Sequence, residues 1–202
     1  MIKVIIFDFQ DVLVNDWRDV FDSNLHIKPG VVAKFFDDHN DLRKEMQYGR
    51  LSEDEFWKQF IRFTDADVTV DQLKDAVRKT LQPSPEVMGI VKSLKPSYKL
   101  AILSNFTREW MHHLVKEYKL DEIFDDMFWS FDNEIKKPLP EAYTQVTEKF
   151  NVRPEECLLI DDKERNTKGA ENAGMKTILY TNPEKLKKEL SEMQIKLWTI
   201  CA

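Results

Sequence analysis

An aspartate directly follows the first apolar run of the chain. Residues Val4–Phe7 predict a short buried strand, and the peptide DFQDV occupies positions 8–12 behind it. In an open parallel sheet, ligands bind beyond the carboxyl ends of the strands. Asp8 is therefore a candidate catalytic residue, because a carboxylate at such a position can act as a nucleophile or bind a metal ion.

Three later segments also end an apolar, strand-like run in polar residues. They are Ser104-Asn105 after residues 100–103, Lys137-Pro138 after residues 128–130, and Asp161-Asp162 after residues 157–160. Each pair alone would be an ordinary turn, helix start or helix N-cap. Crowded at neighbouring strand ends, Asp8, Asp161 and Asp162 would repel one another, so this cluster needs a cation. Oxygen ligands with room for water and phosphate favour Mg²⁺.

The four motifs, in this order, resemble those of the haloacid dehalogenase-like hydrolase superfamily, most of whose members are phosphatases that act through an aspartyl-phosphate. The resemblance covers nearly the whole chain. It implies that Asp8 is the nucleophile and that Lys137 neutralises both this nucleophile and the transferring phosphoryl group. It also implies that Ser104 and Asn105, with neighbouring backbone N–H groups, hold the phosphate oxygens.

The same resemblance implies a set of metal ligands. Mg²⁺ would be bound by the side chain of Asp8, the backbone carbonyl of Gln10 and the carboxylate of Asp162. Asp161 would bind it directly or through water. Asn166, on the opening turn of the next helix, could brace the metal site.

Gln10 is the main departure from the family pattern, which has an aspartate at this position. In the family's phosphatases, that aspartate protonates the leaving oxygen and later assists the attack of water. A glutamine amide can donate a hydrogen bond but has no proton to exchange at neutral pH. General acid–base assistance is typically worth ~10²–10⁴-fold in rate, so we expect a slow enzyme rather than loss of binding. Asp11 is not expected to replace the acid, because the register points it elsewhere.

Three functions stay open at this point. The first is a Mg²⁺-dependent phosphatase that acts on a small phosphorylated metabolite. The second, motivated by Gln10, is a catalytically degenerate module that binds a phosphorylated ligand or a protein partner. The third is a haloacid dehalogenase-type hydrolase, whose attack on carbon needs neither a metal nor a protonated leaving group. The pair Asp161-Asp162 argues against this third function, because it is typical of a cation site.

A helical insertion interrupts an otherwise alternating α/β pattern. From residue 83 onward helices and strands alternate, which predicts a doubly wound, mostly parallel, Rossmann-like sheet covered on both faces. Residues 14–82 contain no strand-like run, and capping boxes at Ser52 and Thr69 open amphipathic helices. We therefore expect residues 1–13 and 83–202 to form the α/β core, and residues 14–82 to form a helical cap.

The composition narrows the class of protein further. The 202 residues are 42% apolar and 33% charged, which is typical of soluble globular proteins. A net charge of −6 without a basic cluster argues against nucleic acid as a partner.

The first apolar run is too short for a signal peptide or a membrane span, so we expect a cytoplasmic protein without a membrane partner. The sequence leaves the oligomeric state unknown. The cysteines, Cys157 and Cys201, and the four histidines lack ligand spacing.

Overall fold

The computed structural model describes residues 1–16, 27 and 29–198. Its five strands are β1 (Val4–Phe7), β2 (Lys99–Ser104), β3 (Asp126–Trp129), β4 (Cys157–Asp161) and β5 (Lys176–Leu179). They form one sheet in the order β3-β2-β1-β4-β5, and every neighbouring pair is parallel. This arrangement confirms the predicted doubly wound, Rossmann-like α/β fold.

The helices of the described residues precede, connect and follow these strands. They are α1 (Pro29–Asp38), α2 (Asn40–Gln47), α3 (Glu53–Thr64), α4 (Val70–Thr80), α5 (Pro85–Leu94), α6 (Arg108–Tyr118), α7 (Leu120–Ile123), α8 (Ser130–Asn133), α9 (Pro140–Phe150), α10 (Glu164–Asn172) and α11 (Pro183–Glu192). A 3₁₀ turn, Pro154–Glu156, leads into β4.

The sheet is buried on both faces. Successive side chains of a strand point to opposite faces, and on β1 both sets are buried. Ile5 and Phe7 of β1 belong to one apolar cluster, which also contains side chains of α5, α6 and α11. Val4 and Ile6 belong to a second cluster with side chains of α9 and α10. The double covering explains why the strands read as continuous apolar runs instead of alternating ones.

Helices α1 to α4 lie between β1 and β2 in the chain and pack together through aromatic rings. The ring of Phe35 in α1 lies 5.8 Å from that of Phe56 and 5.0 Å from that of Phe60, both in α3, with edge-to-face geometry. Such pairs add about 0.5–1.5 kcal/mol each beyond the apolar area they bury. These aromatic residues are therefore packing residues.

A buried carboxylate joins this helical segment to the rest of the fold. Glu53, at the start of α3, is 2% exposed. Its Oε1 accepts hydrogen bonds from the indole of Trp57 at 3.2 Å and from that of Trp110 in α6 at 2.7 Å. Arg78 of α4 lies 3.3 Å from Oε2. Because these donors satisfy the carboxylate, its charge is tolerated in apolar surroundings.

The third strand differs from its prediction. It was expected at residues 128–130, but it spans Asp126–Trp129, and Ser130 already begins α8. Asp126 is accommodated in the strand because Lys149 lies 2.8 Å from its carboxylate. Ser130 leaves the sheet because its hydroxyl donates a hydrogen bond of 2.6 Å to the carbonyl of Gln47.

The predicted helix starts are present with one difference. The capping box at Thr69 is complete, since its side chain and that of Gln72 exchange hydrogen bonds with the two backbone N–H groups. At Ser52 the structure records only the first of the two bonds, in which the Ser52 hydroxyl accepts from the N–H of Glu55.

The remaining sequence predictions concern residues without a motif. Cys157 is a buried free thiol in β4, and burial raises the pKa of this thiol to about 11. His112 is exposed on α6, while the ring of His39 stacks on that of Phe35. The predictions for His26 and Cys201 fall outside the described residues. Across the residues that are described, we find no helix with the length and apolar character needed to cross a bilayer.

Candidate active site

Two predicted site residues lie side by side because their strands are neighbours. Phe7 of β1 pairs with Ile160 of β4, and the next residues are Asp8 and Asp161. The N–H of Asp8 donates a 2.8 Å hydrogen bond to the carbonyl of Ile160, which fixes this register at the strand ends. The chain passes from β1 to β2 on one side and later enters β4 on the other. Ligands of doubly wound sheets bind at such a reversal point.

Lys137 lies between the two carboxylates. Its Nζ is 2.9 Å from Oδ1 of Asp8 and 2.5 Å from Oδ2 of Asp161. All three side chains are nearly inaccessible, with 1%, 6% and 0% exposure for Lys137, Asp8 and Asp161. A buried charge is tolerated only when paired, so the ammonium group is required by its position as much as the carboxylates are.

The environment shifts the protonation equilibria of these groups unequally. Burial raises the pKa of Asp8 to about 6, against the opposing charge of Lys137 and with a further contribution from Asp161. Burial would also raise the pKa of Asp161, but the charge and hydrogen bond of Lys137 dominate and lower it. The pKa of Lys137 is raised, because the two carboxylates outweigh the effect of burial. Lys137 is therefore a fixed cation, paired more strongly with Asp161 than with Asp8.

Three carboxylates gather at this edge of the sheet. Ligand oxygens of Asp8, Asp161 and Asp162 lie within 4.8 Å of one another, so the group could hold a metal ion. Nδ2 of Asn166 donates to both oxygens of Asp161, at 2.9 and 3.1 Å. Oδ1 of Asn166 is buried without a protein partner among the described residues. An oxygen-only set with one unsatisfied acceptor fits a hard cation such as Mg²⁺.

The side chains of Gln10 and Asp11, in the loop after β1, contact different partners. Nε2 of Gln10 donates a 3.2 Å hydrogen bond to Oδ1 of Asp16. Asp11 adopts a left-handed conformation with φ of 64°, and its carboxylate lies 4.0 Å from Nζ of Lys163. Sequence reasoning missed Asp16, because nothing in its spacing links it to a residue six positions earlier.

The end of β2 brings the other two predicted residues to the same edge. Ser104 is 2% exposed. The side chain of Asn105 makes two hydrogen bonds to the backbone of Lys137, since Nδ2 donates to the carbonyl and Oδ1 accepts from the N–H, both at 2.9 Å. Its side-chain amide is thus hydrogen-bonded within the protein, and the expected contact of Asn105 with the phosphate oxygens stays a prediction. The sequence gives no signal for the contact with Lys137, which spans 32 residues.

The backbone around Lys137 is packed against α10. A Cβ added at Gly169 would lie 2.7 Å from the hydroxyl of Tyr143 and 2.8 and 3.0 Å from Cβ and the carbonyl oxygen of Pro138. Real Cβ atoms essentially never lie closer than 3.0 Å to another heavy atom, so a larger residue here requires the Tyr143 hydroxyl and the Pro138 ring to shift. The close packing of Gly169 against Pro138 affects the site, because Pro138 directly follows Lys137 in the chain.

We predict that Gly169→Ala destabilises the protein by about 1–3 kcal/mol, as overpacking does, despite the higher helix propensity of alanine. Turnover should fall as well, since the peptide of Lys137 must shift. Urea unfolding and steady-state kinetics measure the two effects. Gly89→Ala in α5 is the matched control, because its Cβ meets nothing within 4 Å; it should gain about 0.4–1 kcal/mol. Equal stability of the two variants would contradict the prediction.

The chain is similar to known proteins over most of its length. A family model described as haloacid dehalogenase-like hydrolase matches residues 5–180, a span that contains almost the entire sheet and every residue of the site. D-ribitol-5-phosphate phosphatase of Bacteroides thetaiotaomicron is 28% identical over 204 residues, which covers 95% of this chain and 98% of that protein.

Solved structures resemble the fold. A HAD-family enzyme from Bacteroides thetaiotaomicron, in complex with magnesium and inorganic phosphate, has a TM-score of 0.73 and 23% identity, covering 90% of this chain and 95% of that one. L-2-haloacid dehalogenase from Xanthobacter autotrophicus has a TM-score of 0.65 and 25% identity, covering 95% and 83%. One neighbour is thus a complex with magnesium and inorganic phosphate and the other is a dehalogenase, so fold likeness alone does not separate the two activities.

Proposed function

The chain belongs to the haloacid dehalogenase-like hydrolase family, and on this premise we propose that it is a Mg²⁺-dependent phosphatase acting on a small phosphorylated metabolite. The observation that carries the proposal is the buried contact of Lys137 with Asp8 and Asp161 at the ends of β1 and β4. A fixed cation beside a carboxylate is suited to an incoming phosphoryl group, whose oxygens are negatively charged. The similarity to a named phosphatase over nearly the full chain supports the same reaction class.

In the first step, an oxygen of Asp8 attacks phosphorus while the bond between phosphorus and the ester oxygen breaks. Asp8 then carries the phosphoryl group as an aspartyl-phosphate. Lys137 offsets negative charge on the phosphoryl oxygens, and the hydroxyl of Ser104 with nearby backbone N–H groups holds these oxygens. The departing oxygen takes its proton from water, because the amide of Gln10 has none to give.

In the second step, a water oxygen attacks phosphorus and the bond to Asp8 breaks. This releases inorganic phosphate and restores the carboxylate. The proton of the attacking water passes to solvent or to the phosphate, since Gln10 cannot accept it at neutral pH. Both steps therefore lack general acid–base assistance at position 10, and the enzyme is slow.

A divalent cation would complete the charge balance of the three carboxylates and Lys137. The carboxylates of Asp8 and Asp162 and the backbone carbonyl of Gln10 would hold Mg²⁺, and Asp161 would bind it directly or through water. When bound, the ion polarises a phosphoryl oxygen and offsets the charge of the carboxylates. Asn166 orients Asp161 through its two hydrogen bonds.

We assign residues 14–82 to a cap that shapes the substrate pocket, over an α/β core of residues 1–13 and 83–202. Helices α2 and α3 and the loops after β1 and β2 line a pocket that includes Gln10, Arg43, Phe56 and Thr107. Oγ1 of Thr107 is buried and has no protein partner within the described part of the chain. The cavity between these groups has a volume of about 10 Å³, which is room for about one water molecule, so it is too small to hold a metabolite as it stands.

A panel of phosphorylated metabolites, assayed with Mg²⁺ and with a chelator, tests the proposal. We expect release of inorganic phosphate from at least one small phosphate ester, and we expect chelation to remove it. No release across a broad panel would refute the proposal. Halide release from a 2-haloacid with the chelator present would instead establish the dehalogenase reaction, because attack on carbon needs no cation.

A further inference from the structure

We infer that Asn105 is a positioning residue that holds the ammonium group of Lys137 in place. The inference rests on the proposed function, in which Lys137 neutralises the phosphoryl group, but its geometric basis is independent of it. Nδ2 and Oδ1 of Asn105 bond the carbonyl and the N–H of Lys137, both at 2.9 Å. The two bonds hold the backbone of Lys137 on both sides of its Cα, because the N–H belongs to the peptide unit before Lys137 and the carbonyl to the one after it.

The backbone of Lys137 needs such a support because of its place in the fold. Lys137 belongs to the connection between α8 and α9 and not to a strand, so no ladder of the sheet holds it. Asn105, by contrast, directly follows the last residue of β2. The side-chain amide of Asn105 therefore fixes the loop that carries Lys137 relative to the edge of the sheet.

Asn105 is itself supported from the helical segment. Nε2 of Gln47, the last residue of α2, donates a 3.1 Å hydrogen bond to the carbonyl of Asn105. The carbonyl of Gln47 accepts a 2.6 Å bond from the hydroxyl of Ser130. Asn105 thus connects the edge of the sheet, the helical segment and Lys137. The placement of Lys137 depends on Asn105.

Asn105→Ala should lower kcat by about 10-fold. A 1 Å misplacement of a reacting group can cost about 10²-fold, but the ion pairs of Lys137 with Asp8 and Asp161 retain part of its position. Asn182→Ala is the matched control: Oδ1 of the exposed Asn182 caps α11 by accepting from the N–H of Lys185 at 2.8 Å. The control should lose a few degrees in Tm and keep its kcat.

A double-mutant cycle separates positioning from general damage. In a Lys137→Met background, the Asn105→Ala change should cost nothing further in kcat or in the Kd for inorganic phosphate, because the group it positions is absent. If the two substitutions multiply, Asn105 acts on substrate or on the fold by itself, and the inference is wrong.

Crystal structures provide a readout that needs no turnover. In Asn105→Ala, we expect Nζ of Lys137 to leave one of its two carboxylate partners. If it stays within 3 Å of both Asp8 and Asp161, the inference fails even when the protein is an active phosphatase. If it moves while no phosphate ester is hydrolysed by the wild type, the positioning role stands and the proposed function fails.

Discussion

Asp8→Asn is expected to lower phosphatase turnover by more than about 10⁴-fold, the scale on which removal of a covalent nucleophile acts. The amide nitrogen is a poor nucleophile toward phosphorus, and the neutral side chain also weakens the binding of Mg²⁺. Release of inorganic phosphate under saturating substrate and Mg²⁺ measures the effect. Asp11→Asn is the matched control, because it removes a carboxylate three residues away and asparagine tolerates the left-handed conformation of that position.

The same variant should be as stable as the wild type or more stable at pH 7 without Mg²⁺. Folding raises the pKa of Asp8 from 3.8 to about 6, so its contribution to stability is complete below pH 3.8 and is lost as the pH rises through 6. At pH 7 the buried carboxylate is ionised and opposes folding by about 3 kcal/mol, since the shift is about two pKa units. The variant should lack this pH dependence. Mg²⁺ should raise the Tm of the wild type and leave that of the variant nearly unchanged.

Asp8→Asn turnover within a factor of ten of wild type would refute the assignment of the nucleophile. A large loss in Asp11→Asn would show that the loop after β1, not one carboxylate, carries the effect. Unchanged Tm of the wild type on addition of Mg²⁺ would remove the metal from the proposed mechanism while leaving the nucleophile in place.

The sheet and the acidic part of the site could be predicted from local sequence. Apolar runs identify buried strands, and Asp8 and Asp161 end two of them, so parallel pairing is enough to bring them together. The position of Lys137 could not be obtained in this way. It depends on a loop, and its distances of 2.9 and 2.5 Å to the carboxylates follow from tertiary contacts alone.

Long-range polar contacts account for what the sequence did not predict. Glu53 reads as an acidic first-turn residue, which favours a helix start, yet it is buried against Trp110, 57 residues later in the chain. Its spacing from Trp57, four residues along the same helix, is the one local signal that it faces inward. Asn105 carries no such signal, since its partner lies 32 residues away.

The ends of elements were less predictable than their existence. Strand β3 begins at Asp126, two residues before its predicted start, because Lys149 neutralises a charge that hydrophobic patterning counts against a strand. Helix α6, in contrast, is well marked in the sequence, since its apolar face repeats with the helical period.

Gln10→Asp is expected to raise kcat by about 10²-fold or more, because it restores a group able to protonate the leaving oxygen. The new carboxyl would share its surroundings with Asp16, whose Oδ1 now accepts from Nε2 of Gln10 at 3.2 Å. A neighbouring carboxylate raises the pKa of a carboxylic acid, which keeps more of it protonated near neutral pH. The added rate should therefore decline as the pH rises through that pKa.

Gln10→Asn is the matched control for this gain, because it has the size of aspartate and the amide of glutamine. It should stay near the wild-type rate and lack the alkaline decline, so the comparison isolates the exchangeable proton from the shorter side chain. If the Asp variant is faster and the Asn variant is slow, the nucleophile Asp8 and the groups that bind the phosphate are already correctly placed. The missing proton for the leaving oxygen then limits turnover. If inorganic phosphate binds tightly but neither variant hydrolyses an ester, the site binds a phosphorylated ligand without turning it over, because restoring the acid would then supply nothing that the other groups can use.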